Sequence, residues 1–247
     1  MPSWVLKLKN PLGTDSEYLR LSLAPSLLEA AHQNSACAPF HLFEMANVYL
    51  PVRGNLPEEK MMLAGIFSSE YTRAKGIVEG LLETLRVDAA WNPENASGFL
   101  PHHRLIIKNL PAGRQVAKTT IGQFGTLDSG LIYPEGTSFA YYEFDVVELQ
   151  KAVGSISYKP IPKYPAQIED ITLVLPPRTL FGQVIDVIKN ADSQIVSVES
   201  IDSYENTRTV RIEYQNPDKT LTNKEVEKIR KKVIGKLKSK FEITLKR

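Results

Sequence analysis

The chain has a single cysteine, Cys37, so no disulfide can form within it, and that usage fits a reducing cytoplasm. No nucleophile motif surrounds Cys37, so it is not read as catalytic. No apolar run approaches the roughly 20 residues that a membrane-spanning helix needs. The opening stretch, residues 1–10, is too poor in apolar residues for a signal peptide. No G-x-x-x-x-G-K-[ST] loop is present, which removes the common phosphate cradle. Histidine is scarce, and His102 and His103 are adjacent, so on a strand they face opposite ways. With no Cys or acid at ligand spacing nearby, no metal site is expected.

Excess charge of either sign is also lacking overall: the net charge is +2. It is unevenly spread. From Thr207 onward there are thirteen Lys or Arg against five acids, about +8 on the last 41 residues. A basic segment of that kind is an electrostatic footprint for a polyanion, although a lysine-rich helix face is also an ordinary solvated surface.

The same region carries the clearest pattern of elements. Residues 169–175 alternate as a strand that Pro176-Pro177 stops, and residues 179–190 have apolar positions at helical spacing, with Thr179 as N-cap. Strands at 195–204 and 207–215 flank a turn at Glu205-Asn206. Thr222 and Glu225 then match a capping box that opens a helix with Val226, Ile229, Val233 and Leu237 on one face. Residues 242–246 read as a last strand. This order is the βαββαβ pattern of the ferredoxin-like fold. The third strand turns Thr209, Arg211 and Glu213 away from its core and offers no aromatic pair. RNA bound here would be gripped by phosphate and shape, not by stacking splayed bases.

Before this lies a first domain, residues 1–157, with the proline-rich link 158–165 marking the start of the second, residues 158–247. An opening strand (1–10), a breaker-rich loop and a helix with Pro25 in its first turn come first. Strands at 40–51 and 60–68, a helix at 72–86, and strands at 104–108, 116–124 and 139–147 follow. Together they read as a mixed, largely antiparallel sheet with flanking helices. Gly122 and Gly125 are expected to serve a bulge or turn. Glu143, Asp145 and Glu148 form an acidic strand end, with Glu143 and Asp145 sharing a solvent face by alternation.

Several stretches now resemble one family. N-P-L at 10–12, L-R-L-S-L-A-P-S-L-L at 19–28 and Leu42-Phe43-Glu44 are similar to the C-terminal half of the bacterial phenylalanyl-tRNA synthetase β subunit. So are Y-T-R-A-K-G-I-V-E-G-L-L-E-T-L at 71–85, I-G-Q-F-G-T-L at 121–127, Y-P-A-Q-I-E-D-I-T-L-V at 164–174, K-T-L-T-N-K-E-V at 219–226 and the L-K-R ending. Each is short, but their shared order spans nearly the whole chain. The resemblance implies an α+β chain: a class II synthetase-like antiparallel core without catalysis, then a ferredoxin-fold anticodon-binding domain. It implies assembly with a catalytic α subunit as (αβ)₂ and contact with the anticodon region of phenylalanine tRNA. ATP and Mg are expected only on the partner subunit or on segments absent from this chain. The residues agree with lost catalysis. The strand at 40–50 and the segment 138–149 lack the arginines that hold ATP phosphates in a class II core, and acids in the latter would repel a triphosphate.

The candidate tRNA-binding residues are Arg208, Arg211, Lys224, Lys228, Lys231, Lys232, Lys246 and Arg247. For the subunit contact the candidates are Leu23, Leu27 and Leu28, on the Pro25 helix and the loop before it. The family usually has Gly where Ser26 and Ala46 stand, Arg-Asp where Glu169-Asp170 stand, and F-D-x-Y-x-G where Ile201–Asn206 runs. The second of these changes reverses a charge near the expected RNA surface. The family's accessory and editing parts are missing, so the chain is expected to be a piece of a longer subunit without editing activity. Two other readings stay open: a small-molecule-binding regulatory module of the same βαββαβ order, and a stand-alone RNA-binding or ligase-like protein.

Overall fold

The computed structural model describes residues 5–13, 17–110, 119–128, 138–156, 158 and 160–246. The chain divides into two compact units, Met1–Ser157 and Tyr158–Arg247. Among the described residues no helix is long and apolar enough to cross a membrane.

The first unit is a six-stranded sheet. Its strands are β1 (His41–Leu50), β2 (Glu58–Phe67), β3 (Ala89–Pro93), β4 (Phe99–Asn109), β5 (Thr120–Leu127) and β6 (Phe139–Asp145), in spatial order β1-β2-β6-β5-β4-β3. Every pair is antiparallel. Its helices are α1 (Ala24–Gln33), α2 (Tyr71–Thr84) and α3 (Val146–Ala152). β6 is central and covered on both faces, which is why F-A-Y-Y-E-F is buried throughout. Phe139 and Tyr141 pack with α1, while Ala140, Tyr142 and Phe144 pack with α2 and α3. The register of β4 on β5 shifts beside both Gly122 and Gly125. A Cβ at Gly122 would lie 2.4 Å from the Phe144 ring and 2.5 Å from the Glu143 carbonyl, so only glycine lets β5 lie this close to β6.

Four readings of this unit change. Leu23, Leu27 and Leu28 are at most 6% exposed and pack into the chain's own core with Val48, Ile66 and Tyr141. An apolar stripe on one helix looks the same in sequence whether it meets a partner or its own sheet, and here the sheet has it. The strand expected at 139–147 stops at Asp145. That carboxylate accepts from the amides of Val147 and Glu148 (3.0 and 3.1 Å) and so starts α3, where apolar alternation alone predicts more strand. Glu143 is 8% exposed and not on a solvent face. β3 falls inside a stretch that reads as loop. The start of the strand expected at 116–124 and the first four residues of the opening strand lie outside the described residues. What is described near the opening is one bridge, Lys7 to Tyr18.

The second unit has β7 (Gln167–Val174), α4 (Phe181–Lys189), β8 (Ile195–Tyr204), β9 (Thr207–Tyr214), α5 (Asn223–Phe241) and β10 (Thr244–Leu245). Its sheet runs β10-β7-β9-β8, all antiparallel. The βαββαβ reading holds element by element. Val210, Ile212 and Tyr214 are fully buried under Ile229, Val233 and Leu237 of α5 and Val184 and Ile188 of α4. Thr179 does not cap α4, whose N-cap is Leu180. Its hydroxyl instead donates to the Pro176 carbonyl (2.7 Å) and closes the turn before the helix.

Candidate nucleic-acid interface

The basic residues of the second unit separate once folded. α5 begins where Glu225 reaches back: its carboxylate accepts from the Thr222 amide (2.9 Å) and hydroxyl (2.8 Å). The hydrogen bond from Lys219, and then those from Thr222, hold the Glu225 carboxyl down at about 2. Beyond that start, the apolar positions bury one face of α5 and the cations take up the rest.

On one flank, Arg230 pairs with Glu169 (2.5 Å), and the Tyr214 hydroxyl donates to the same carboxylate (3.3 Å). On the other flank, Lys232 pairs with Asp192 (2.8 Å), and Lys236 donates to the carbonyls of Asn190 and Ala191 (3.2 and 3.3 Å) at the end of α4. The Asp192 carboxyl is held below its usual value chiefly by that bond from Lys232. Both flanks are therefore committed to the fold. The outer face is not. Lys224, Lys228 and Lys231 are exposed and spaced four and three apart, and exposed Lys238 continues the line seven residues on. Of these, only Lys231 makes an ion pair among the described residues, with Glu227 one turn back (2.8 Å).

The remaining candidates lie elsewhere. Arg211 is on the opposite, open face of the sheet, in a bidentate pair with Asp170 (2.9 and 2.9 Å) and with Glu199 and Glu213 adding to the field around it. That face is acidic, so it repels a phosphate backbone where Arg211 alone would attract one. Arg208 donates to the Glu205 and Thr207 carbonyls (3.1 and 2.8 Å) at the β8–β9 turn. Lys246 is exposed beyond β10, and its amide donates to the Thr172 carbonyl. Arg247 is outside the described residues. Among the described candidates only Lys224, Lys228 and Lys231 are brought together on one exposed face. Lys238 is a further member that the sequence candidates omit, although its helical spacing from Lys231 is legible. The charge reversal at Glu169 is absorbed by Arg230 on the helix side of the sheet and does not reach the open face.

Two family models match the chain: the phenylalanyl-tRNA synthetase beta chain CLM domain over residues 3–133, and the ferredoxin-fold anticodon binding domain over residues 162–246. The phenylalanine–tRNA ligase β subunit of Moorella thermoacetica is 28% identical over 98% of this chain, and that of Bacillus licheniformis is 31% identical over 96%. The chain spans about a third of the length of each, 33% and 32%. Among solved structures, a pyrrolysyl-tRNA synthetase of Desulfitobacterium hafniense aligns with 63% of this chain and 58% of its own, at TM-score 0.45 and 15% identity. With one model covering more than half of its residues and the other its second unit, the chain belongs to the phenylalanyl-tRNA synthetase β-chain family.

Proposed function

We propose that this chain forms the non-catalytic core and anticodon-binding arm of a phenylalanine–tRNA ligase β subunit, working in the cytoplasm beside a catalytic α subunit. The carrying observation is the outer face of α5. Lys224, Lys228, Lys231 and Lys238 project from the unit that matches the anticodon-binding model, while the flanking cations are paired inward. A line of exposed lysines, of which only Lys231 makes an ion pair among the described residues, attracts phosphates without reading bases, which suits the positioning part of RNA recognition. The acidic open sheet face directs the RNA to the helix side.

The α subunit is assigned to the edge strand β1. Phe43 and Met45 are 68% and 62% exposed there, two residues apart on one face, and among the described residues no strand pairs with the outer side of β1, where Arg20 takes up only the Tyr49 amide (2.9 Å) and the Asn47 carbonyl (2.9 Å). This replaces the three leucines that the fold keeps for itself. The test is size-exclusion chromatography of the chain with a bacterial α subunit, with and without phenylalanine tRNA. A complex that co-elutes and takes up the tRNA is the expected result. A chain that elutes alone and leaves the tRNA free would overturn the assignment.

A further inference from the structure

The sheet of the first unit has two edges, β1 and β3. Two bonds fix which way the backbone of β3 points. The Leu110 amide donates to the Asp88 carbonyl (2.8 Å), and the Glu94 amide donates to the Arg104 carbonyl (3.1 Å). In an antiparallel pair every second residue exchanges bonds with the neighbouring strand, and those between turn away. Asp88, Ala90, Asn92 and Glu94 therefore face β4, and Ala89, Trp91 and Pro93 turn their backbone groups outward. Pro93 has no N–H, so the outward donors are the amides of Ala89 and Trp91. Among the described residues no group takes up either amide.

A groove of about 370 Å³ runs beside that row, between Glu79, Leu82 and Glu83 of α2 and the stretch from Arg86 to Trp91. Its floor is apolar. Leu82 and Val87 are buried, and Ala89 and Trp91 pack against the same core. One end is fixed by the close of α2: Arg86 takes a left-handed φ of 56°, and the amides of Arg86 and Val87 donate to the carbonyls of Glu83 and Leu82 (2.9 and 2.8 Å). The rim is charged. Lys75 lies 4.6 Å over the Trp91 ring and pairs with Glu79, so that ring face and that acid are occupied. Glu83 and Asp88 are exposed, and no Lys or Arg pairs with either among the described residues. Against these two acids the lining holds one cation, Arg86. The charge left over on the rim selects a cation.

An outward backbone row beside an apolar groove is a template for adding a strand. We propose that β3 and α2 receive an extended segment of a partner protein as an added antiparallel strand, with apolar side chains on Leu82, Val87 and Trp91 and a Lys or Arg against Glu83 and Asp88. The sheet is antiparallel throughout. In an antiparallel addition the incoming residues that bond Ala89 and Trp91 are also those whose side chains enter the groove. Backbone bonds and groove contacts thus come from the same residues. Pro93 ends the row of donors, which keeps the added segment short. The site is on the sheet edge opposite β1 and is independent of the α-subunit and tRNA assignments.

The probe is a hexapeptide blocked at both ends, Thr-Val-Thr-Lys-Thr-Val, whose valines and lysine share one face of a strand. Calorimetry of the whole chain with this peptide, at up to about 5 mM, should show binding near about 1 mM. Hydrogen exchange should slow at the amides of Ala89 and Trp91. N-methylating the valines and lysine removes the donors that meet β3 and should abolish binding, whereas N-methylating the threonines should spare it. The Glu83→Gln, Asp88→Asn chain should bind the lysine peptide up to about fivefold more weakly. It should bind a peptide with threonine in place of lysine as the unsubstituted chain does. No heat and no slowing of the two amides, or equal or reversed binding of the two methylated peptides, would overturn the strand addition. Equal binding of the lysine peptide by both chains would overturn the cationic side chain. Should the double variant fail to fold, the methylated pair and the threonine peptide on the unsubstituted chain decide both points.

Discussion

At Glu225 one side chain does two jobs: it caps α5 and draws in Lys219. Its carboxyl is held at about 2 in the folded chain, below the ordinary 4.5. A carboxyl whose pKa is lowered by folding adds stability above its unfolded value and loses it as the pH falls through the folded one. Thermal unfolding followed from pH 4.5 down to about 2 should show that loss. Glu225→Gln should flatten it, and salt should shrink it because the carboxylate is still open to solvent. The same helix start gives a simpler expectation: Thr222→Ala should cost about 1 kcal/mol in denaturant unfolding, as removing a cap does. The Thr222 and Glu225 pairing is readable because its spacing is fixed by the first turn. Asp145 and Glu148 carry the same spacing, yet the apolar Val146-Val147 beside them reads equally well as more strand, and only the end of β6 pairing decides it.

At the scale of elements, α1 and α5 show what periodicity does and does not tell. Both present an apolar stripe, and for α5 the buried set is legible because β9 supplies the matching alternation. For α1 the same signal is ambiguous between partner and sheet. Leu23, fully buried, settles it: Leu23→Ala should destabilise the first unit by about 2–5 kcal/mol, measured by chemical denaturation. The polar side of α5 is legible as charge but not as three separate faces, because the acids that claim its flanks, Glu169 and Asp192, come from β7 and the turn after α4. Lys232→Met should therefore leave tRNA affinity nearly unchanged and cost at most about 1 kcal/mol of stability, as exposed pairs do. A polar chain in the first unit, in which Arg104 donates to Gln123 (2.9 Å) and Gln123 to Glu143 (3.0 Å), is hidden from the sequence for a similar reason. Arg104, Gln123 and Glu143 sit on three strands, and only their antiparallel register aligns them.

For the whole molecule, the two units carry different surfaces suited to different partners. β1 offers exposed apolar side chains at a sheet edge, and α5 offers exposed lysines. Replacing Phe43 and Met45 with Ser should abolish co-elution with the α subunit while leaving the unfolding temperature nearly unchanged, since both side chains are already in water. The most direct measurement of the central claim is the salt dependence of phenylalanine tRNA binding, comparing the chain with its Lys224→Gln, Lys228→Gln, Lys231→Gln variant. Every phosphate that the variant no longer neutralises should lower the slope of log K against log salt by about 1, so the variant should bind more weakly with a slope flatter by up to about 3. An affinity and slope equal to those of the unsubstituted chain would contradict it and take α5 out of the RNA interface.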